Sequence, residues 1–168
     1  MCTRWNAKTG AKLWSYTTSS YVSSSPAVAN GIVYVASGDG NVFALNSRTG
    51  AKLWSYATGL EVNSSPAVAN GVVYIGSQDD NVYALNAKRG VELWSYHTSG
   101  HVDSSPAVAN GVVYVGSDDH NLYALNAKTG AELWSDTTGF WVEASPVVAN
   151  GVVYINGDDL NVYAFGLK

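Results

Sequence analysis

A forty-residue unit recurs four times along this 168-residue chain, and no other feature restricts the possible folds as strongly. Every unit repeats a tryptophan, a proline, an Asn-Gly pair and a tyrosine at the same step. Residues 59–98 and 99–138 align without a gap and share 28 of 40 residues. Repeats of this length are typical of arrays in which each unit packs mainly against its neighbours.

Each unit reads as four short strands separated by turn residues. In the third unit, Asn110 and Gly111 form a two-residue hairpin signal, because both turn positions favour a positive φ. Residues 118–121 make a second polar turn, and residues 128–130 suit a longer hairpin loop that ends on glycine. The runs between these turns are short and β-branched, which disfavours a helical repeat. The sequence therefore predicts a four-stranded antiparallel meander in each unit.

The second strand of the unit predicts how the meanders pack. Residues 111–116 are apolar without polar alternation, as in strands that are covered on both faces. A meander covered on both faces by copies of itself is a blade of a β-propeller. We therefore predict an all-β fold and one propeller domain over residues 1–168, with the repeats 19–58, 59–98 and 99–138.

The repeat is cut out of phase with the blades. Residues 139–168 supply only three strands of the last blade, whereas residues 11–17 supply a spare fourth strand. We expect strand 11–17 to complete a closing blade made with 139–168, because propellers avoid a free edge in this way. Residues 1–7 match a third strand, but Arg4 and Trp5 break its pattern, so we expect this copy to be displaced.

The segments AKTGAKLW, AKTGAELW and VYVGSDDHNLYALNAKTG resemble the tryptophan-docking repeat of the pyrroloquinoline-quinone-type propeller family. The resemblance covers essentially the whole chain. It implies that the fourth-strand tryptophan of each blade stacks on the neighbouring blade, as a structural side chain. The matching positions are Trp14, Trp54, Trp94 and Trp134.

The ring can close in two ways with the same strands. Strand 11–17 can complete its own chain, giving a four-bladed monomer, or a second copy, giving an eight-bladed homodimer by strand exchange. The resemblance implies seven or eight blades, related by rotations near ~45° rather than the ~90° of a four-bladed ring. We therefore favour the eight-bladed homodimer, with the closed four-bladed monomer as the alternative.

Composition excludes several classes of partner. The net charge is −4, with nine Lys and Arg and no basic cluster, so neither nucleic acid nor an anionic membrane surface is an expected partner. Cys2 is the single cysteine, which excludes an intrachain disulfide. The sequence shows no signal-peptide pattern and no apolar run of about 20 residues, so we expect no membrane insertion. It assigns no compartment, although the resemblance implies a bacterial envelope or periplasm.

Differences between the units gather in two sets of loops that a propeller places on one face. We interpret this face as a binding surface, although exposed loops also drift when nothing restrains them. Phe140 and Trp141 favour binding, because adjacent exposed aromatics are costly unless covered. The candidate binding residues are Tyr21, Glu61, His101, Asp103, Asp118, His120, Phe140, Trp141 and Glu143.

The sequence shows no pattern for bond-making chemistry. The Asp-rich turns lack the alternating oxygen ligands of a calcium loop, and the three histidines lack zinc spacing. Enzymes of the resembled family use a quinone, Ca²⁺, a catalytic Asp and a vicinal disulfide, whereas this chain is shorter and has one cysteine. We predict a non-catalytic binding or scaffold propeller that mediates protein–protein interaction, with no cofactor or metal. The alternatives are a lectin-like propeller that binds a small ligand, and an engineered or amplified repeat without its own activity.

Overall fold

The computed structural model of the chain describes residues 1–166, and within this range every regular element is a strand. The predicted all-β fold is confirmed. No helix in the described range could span a bilayer.

The strands of the N-terminal hairpin are β1 (Cys2–Trp5) and β2 (Lys12–Tyr16). Blade 1 contains β3 (Ala27–Ala29), β4 (Ile32–Ser37), β5 (Asn41–Asn46) and β6 (Lys52–Ala57). Blade 2 contains β7 (Ala67–Ala69), β8 (Val72–Gly76), β9 (Asn81–Asn86) and β10 (Glu92–His97). Blade 3 contains β11 (Ala107–Ala109), β12 (Val112–Gly116), β13 (Asn121–Asn126) and β14 (Glu132–Thr137). The last sheet, blade 4, contains β15 (Val147–Ala149), β16 (Val152–Asn156) and β17 (Val162–Gly166).

Blades 1, 2 and 3 are four-stranded antiparallel meanders in which consecutive strands pair, as the sequence predicts. The Asn-Gly pairs form the turns between the first two strands of each blade. In blade 1, Asn30 has φ 49° and Gly31 has φ 77°, so both turn positions are left-handed. That conformation suits the right-handed twist of the strands on either side.

The hydrophobic core lies between successive blades rather than inside any one of them. One buried cluster joins Tyr34 and Trp54 of blade 1 to Val73, Ile75 and Leu85 of blade 2. An equivalent cluster joins blade 2 to blade 3. Each blade therefore depends on its neighbours for burial, which explains the absence of polar alternation in the second strands.

The fourth-strand indoles lie at these interfaces. The Trp54 Nε1 donates a hydrogen bond to the Ala87 carbonyl of the next blade at 3.0 Å. Its ring covers Gly90, where an added Cβ would lie 2.6 Å from the indole. Tyr34 packs beside the indole, with ring centroids 5.9 Å apart, and its hydroxyl donates to the same carbonyl at 3.0 Å. The sequence therefore places a large side chain, two hydrogen bonds and a glycine in one repeated contact.

The first strands of successive blades lie side by side and form the inner layer. A chain of hydrogen bonds joins them just before each strand. The Ser25 N–H donates to the Ser65 hydroxyl at 2.8 Å, the Ser65 N–H to Ser105 at 2.8 Å, and the Ser105 N–H to Ser145 at 3.1 Å. These hydrogen bonds join the ends of the loops that lead into the first strands of successive blades.

The two ends of the described chain do not join into a ring. Within the single chain, β2 pairs with β1. The expected pairing of strand 11–17 with the blade of 139–168 is therefore not tested here. Residues 1–7 are correspondingly not displaced. The reason is register: Arg4 pairs with Trp14 as Ala44 pairs with Trp54, so β1 occupies the place of a third strand. The closing blade, the number of blades and the homodimer remain predictions.

Candidate functional site: the loop face

Two sets of loops meet at one end of the blades. The exit loops, residues 17–26, 58–66, 98–106 and 138–146, join a fourth strand to the next first strand. The middle loops, residues 38–40, 77–80, 117–120 and 157–161, join second and third strands. We call their combined surface the loop face. The backbone joins the two sets, because the Gln78 N–H donates to the Glu61 carbonyl and the Asp118 N–H to the His101 carbonyl, each at 2.9 Å.

A repeated aspartate fixes each middle loop to the exit loop beside it. The Asp79 Oδ2 accepts the Gly59 N–H at 2.6 Å, and the Asp119 Oδ2 accepts the Ser99 N–H at 2.9 Å. The other oxygen of Asp79 accepts the Asn81 N–H at 3.2 Å within its own turn. These aspartates therefore stabilise the turn and connect it to the exit loop, which agrees with the interpretation of the Asp-rich segments as turns.

The candidate residues Tyr21 and Glu61, which lie in the exit loops before and after blade 1, contact each other directly. The Tyr21 hydroxyl donates to the Glu61 Oε2 at 2.6 Å, and this bond raises the pKa of the tyrosine. The Tyr21 ring lies over Gly38, where an added Cβ would sit 2.6 Å from a ring carbon. Position 38 therefore needs a glycine because the tyrosine of the preceding exit loop occupies the space.

Between blades 2 and 3, the candidates His101 and Asp103 each contact a residue of the middle loop. The His101 Nδ1 lies 3.0 Å from the Asp80 Oδ1, with both side chains partly exposed. The Gln78 Nε2 donates to both carboxylate oxygens of Asp103, at 3.1 and 3.2 Å. The candidates predicted from the sequence do not include Gln78 and Asp80, although both occupy variable positions of the middle loop.

Between blades 3 and 4, three candidate residues form an aromatic cluster. The His120 and Phe140 rings stack with centroids 5.7 Å apart and an interplanar angle of 27°. The Phe140 and Trp141 rings lie 4.9 Å apart at 36°. Phe140 and Trp141 are each 43% exposed, and Leu160 in the middle loop of blade 4 is 98% exposed. The cluster is thus an ordered apolar surface that faces solvent.

The candidate Asp118 lies among other carboxylates. Its Oδ1 is buried and accepts no hydrogen bond within the described part of the chain. Burial, followed by the charges of Glu143 and Asp103, raises the pKa of Asp118 to about 6. His101 acts in the opposite direction, and the Asp158 charge adds to the rise. The structure therefore places the acidic candidates Asp103 and Glu143 close enough to Asp118 for their charges to repel its carboxylate.

Over residues 1–166, no group of three His, Cys, Asp or Glu side chains lies close enough to hold one metal ion. Side chains of His and Asp that do meet, such as His101 and Asp80, are partly exposed. An arrangement of exposed rings and carboxylates on a fixed frame suits the recognition of another molecule.

One position of the middle loop shows backbone strain. Gly40 has φ 78°, and the equivalent residues Asp80, His120 and Leu160 have φ of 67°, 74° and 68°. Left-handed backbone is uncommon for non-glycine residues and is an outlier for a bulky one such as leucine. Two of these strained residues, Asp80 and His120, hold His101 and Phe140. The signal in the sequence was a glycine position occupied by larger residues in three of four units.

Comparison with known proteins identifies the family. A family model described as outer membrane protein assembly factor BamB matches residues 2–103 and again residues 97–168. A search of curated protein sequences gave no match.

Solved structures agree on the fold. BamB from Moraxella catarrhalis superposes with a TM-score of 0.83 at 20% identity over 94% of this chain, which spans 50% of that chain. The computationally designed Ika4 protein gives 0.82 at 20% identity, covering 90% of this chain and 94% of that one. The designed Ika8 protein gives 0.87 at 21% identity, covering 97% of this chain and 51% of that one. The chain therefore spans about half the length of the BamB chain that it matches. Because the family model covers nearly all of the sequence, the chain belongs to the BamB-like family of pyrroloquinoline-quinone-type β-propeller repeats.

Proposed function

We propose that this chain is a non-catalytic propeller that binds a protein partner through the loop face. The observation that carries the proposal is the convergence of the variable residues of all units on this one face. There they form exposed aromatic and acidic groups on a hydrogen-bonded frame. The family description, an outer membrane protein assembly factor, supports a role in contacts between proteins.

Backbone strain supports a functional role for the same residues. Asp80 and His120 adopt left-handed backbone at a position where Gly40 shows that glycine fits. Left-handed backbone costs on the order of 1 kcal/mol for most residues, and Asp and His adopt it more readily than bulky apolar residues do. Here the strained side chains orient His101 and Phe140 on the loop face.

The surface indicates the chemistry of the partner. Phe140 and Trp141 offer the large, rigid rings that dominate binding energy in protein interfaces. Glu143, two residues beyond Trp141 in the same exit loop, lies close enough to Asp118 for their charges to interact, and both add negative charge to the loop face. We therefore expect a partner segment with an apolar anchor flanked by lysine or arginine. The expected location is the bacterial envelope, and a second copy of the chain completes the ring that presents this face.

The absence of catalysis is part of the same proposal. The aspartates that recur in every unit already accept backbone hydrogen bonds, as Asp79 and Asp119 do. They therefore serve the architecture and are poorly placed to act on a substrate. A quinone-dependent dehydrogenase stays disfavoured, since the single cysteine cannot supply a vicinal disulfide.

The test compares two double variants whose replaced apolar side chains have similar fractional exposure. The double variant Phe140→Ser, Trp141→Ser removes rings that are each 43% exposed on the loop face. The control Leu53→Ser, Leu93→Ser removes side chains that are each 49% exposed on the fourth strands. Immobilised chains are compared for protein capture from a bacterial envelope extract, followed by titration of the captured protein. The proposal predicts loss of binding in the first variant only, and equal binding by both would contradict it.

A small carbohydrate is the second candidate ligand. Its support is the exposed pair Phe140 and Trp141 beside Glu143, since sugar rings stack on aromatics and donate to carboxylates. Titration of a panel of oligosaccharides, followed by the fluorescence of Trp141, distinguishes the two candidates. Saturable quenching that Trp141→Ser abolishes would favour the lectin-like function over protein binding.

A further inference from the structure

Two sets of hairpin turns form the end of the blades opposite the loop face. The Asn-Gly turns join first and second strands, and longer turns, residues 6–11, 47–51, 87–91 and 127–131, join third and fourth strands. We call their combined surface the turn face. The Ser47 N–H donates to the Gly31 carbonyl and the Ala127 N–H to the Gly111 carbonyl, each at 2.9 Å. The backbone therefore joins the two sets of turns, as it joins the loops of the loop face.

Charge is divided between these two faces. The turn face carries exposed cations and, among its described residues, no carboxylate; the cations are Lys8, Arg48, Lys88, Arg89 and Lys128. The loop face carries ten carboxylates, three in the exit loops and seven in the middle loops, and its described residues include no Lys or Arg. The linear sequence conceals this division, because cations that stand forty residues apart form no basic cluster until the blades stack. The expectation that an anionic surface is not a partner rested on that missing cluster.

The cations of the turn face are not neutralised by ion pairs. In the part of the chain that the structure describes, no Lys or Arg side chain pairs with a carboxylate. At the start of the fourth strands, Lys12 and Lys52 extend the positive surface beside the first two longer turns. Glu92 and Glu132 occupy this position in blades 2 and 3, where they accept hydrogen bonds from tyrosine hydroxyls. The turn face therefore has an excess of exposed positive charge.

Each longer turn holds its cation at an equivalent place. The Asn46 Oδ1 accepts the N–H groups of Arg48 and Thr49 at 2.9 and 3.0 Å. The Asn126 Oδ1 accepts those of Lys128 and Thr129 at 2.9 and 3.1 Å. Because the same bonds shape the turns of different blades, their cations start from equivalent backbone positions. The blades together present one basic array across their end.

The length of the strands keeps the potentials of the two faces separate. Strands β8 and β4, of five and six residues, span about 17–20 Å at about 3.3 Å per residue. The Debye length at physiological ionic strength is about 8 Å. A molecule at the turn face is therefore largely screened from the carboxylates of the loop face, although the net charge of the chain is −4.

An anionic lipid surface is the partner that fits this array best. A layer of headgroups contacts the turns of several blades at once, whereas an acidic peptide reaches those of one or two. The described turns contain no aromatic side chain on which a nucleic acid base could stack. A cluster of about four to eight Lys or Arg side chains is typical of binding to anionic lipids. Contact through charge alone is peripheral, so it requires no membrane insertion.

We propose that the turn face docks this chain on an anionic lipid surface through Lys8, Arg48, Lys88, Arg89 and Lys128, with the loop face turned away from the lipid. The orientation follows from charge, because the carboxylates of the loop face repel anionic headgroups. It leaves the loop face free for the protein partner of the proposed function, but the docking does not depend on that partner.

Co-sedimentation with vesicles tests the docking. The parent chain is titrated with vesicles of one part phosphatidylglycerol to two parts phosphatidylcholine, and with vesicles of phosphatidylcholine alone. Each cation near an anionic surface strengthens binding by about fivefold, or about 1 kcal/mol. Lys88→Gln, Arg89→Gln should therefore weaken binding by about twentyfold, and Lys128→Gln alone by about fivefold. Circular dichroism of each variant checks that the fold is retained.

The matched control adds the same negative charge to the other face. Leu60→Asp, Leu160→Asp shifts the net charge by the same two units at loop-face side chains that are 54% and 98% exposed. Its binding should stay within about twofold of the parent, because the added carboxylates lie beyond the Debye length. Phe140→Ser, Trp141→Ser should also bind vesicles as the parent does, which separates the docking from partner binding at the loop face.

The expected result is binding of the parent to anionic vesicles only, which weakens as salt is raised from about 0.05 to about 0.3 M. A parent chain that ignores anionic vesicles at low salt would overturn the docking. Unchanged binding by both glutamine variants, or an equal loss in the aspartate control, would overturn the turn face as its site. Loss of vesicle binding in Phe140→Ser, Trp141→Ser would overturn the orientation. Tighter binding of a duplex oligonucleotide than of vesicles at the same salt would assign the face to nucleic acid instead of lipid.

Discussion

Replacing Trp94 by alanine tests the repeated contact between blades. The indole is 8% exposed, covers Gly130 and donates to the Ala127 carbonyl at 3.1 Å. Burial of about 200 Å² at about 25 cal/mol per Å² gives about 5 kcal/mol as an upper value. The lost hydrogen bond adds about 1 kcal/mol, and closure of the surroundings recovers part of the total. We expect Trp94→Ala to lower the free energy of unfolding by about 3–5 kcal/mol.

Urea unfolding followed by far-ultraviolet circular dichroism measures this loss, at one chain concentration for all variants because association adds to apparent stability. Trp5→Ala is the matched control, since this tryptophan is 59% exposed and its loss should cost below about 1 kcal/mol. Trp94→Phe keeps most of the ring but not the N–H, so an intermediate loss is expected. A cost below about 1 kcal/mol for Trp94→Ala would refute the reasoning, because it would mean that the indole does not carry the interface.

Three further variants test the loops and turns. Burial raises the pKa of Asp118 to about 6, above its ordinary value, so the folded state binds the extra proton and the carboxylate destabilises it as pH rises from about 4 to 6. Asp118→Asn should therefore match the parent near pH 4 and exceed its stability at pH 7 by about 1 kcal/mol, after allowance for solvent screening, and an equal pH profile would contradict this. Leu160→Gly relieves left-handed backbone at φ 68° and should stabilise the chain by about 0.5–1 kcal/mol in thermal unfolding, whereas a loss would show that the leucine makes a needed contact. Gly130→Ala adds a Cβ 2.7 Å from the Trp94 ring at φ 74°, and should cost more than about 2 kcal/mol; no loss in urea unfolding would show that the indole can move aside.

Much of the fold was predictable because its signals are local and repeated. The Asn-Gly turn at Asn110 and Gly111 needs only two residues to specify a left-handed hairpin, and it recurs every forty residues. Likewise, the apolar composition of the second strand, Val112–Gly116, is enough to predict that both of its faces are buried. The same topology predicts that Tyr21 and Glu61 lie on one face, whereas the hydrogen bond between them could not be predicted from the sequence.

The remaining features depend on contacts between distant residues. Nothing in the local sequence of Arg4 indicates that its side chain bonds to the Ser47 carbonyl. The placement of β1 beside β2 follows from backbone register, which outweighs the poor side-chain match of residues 1–7. The raised pKa of Asp118 arises from burial together with charges on neighbouring loops, such as Glu143. These positions are set by assembled blades and not by any one unit.

The molar mass of the unmodified chain in solution tests the central claim most directly. Light scattering after size-exclusion chromatography at micromolar concentration measures it without a standard. Two chains that complete one ring predict twice the 17.7 kDa of a single chain. A mass of one chain, unchanged on concentration, would contradict the strand-exchanged homodimer and support a propeller that closes within one chain.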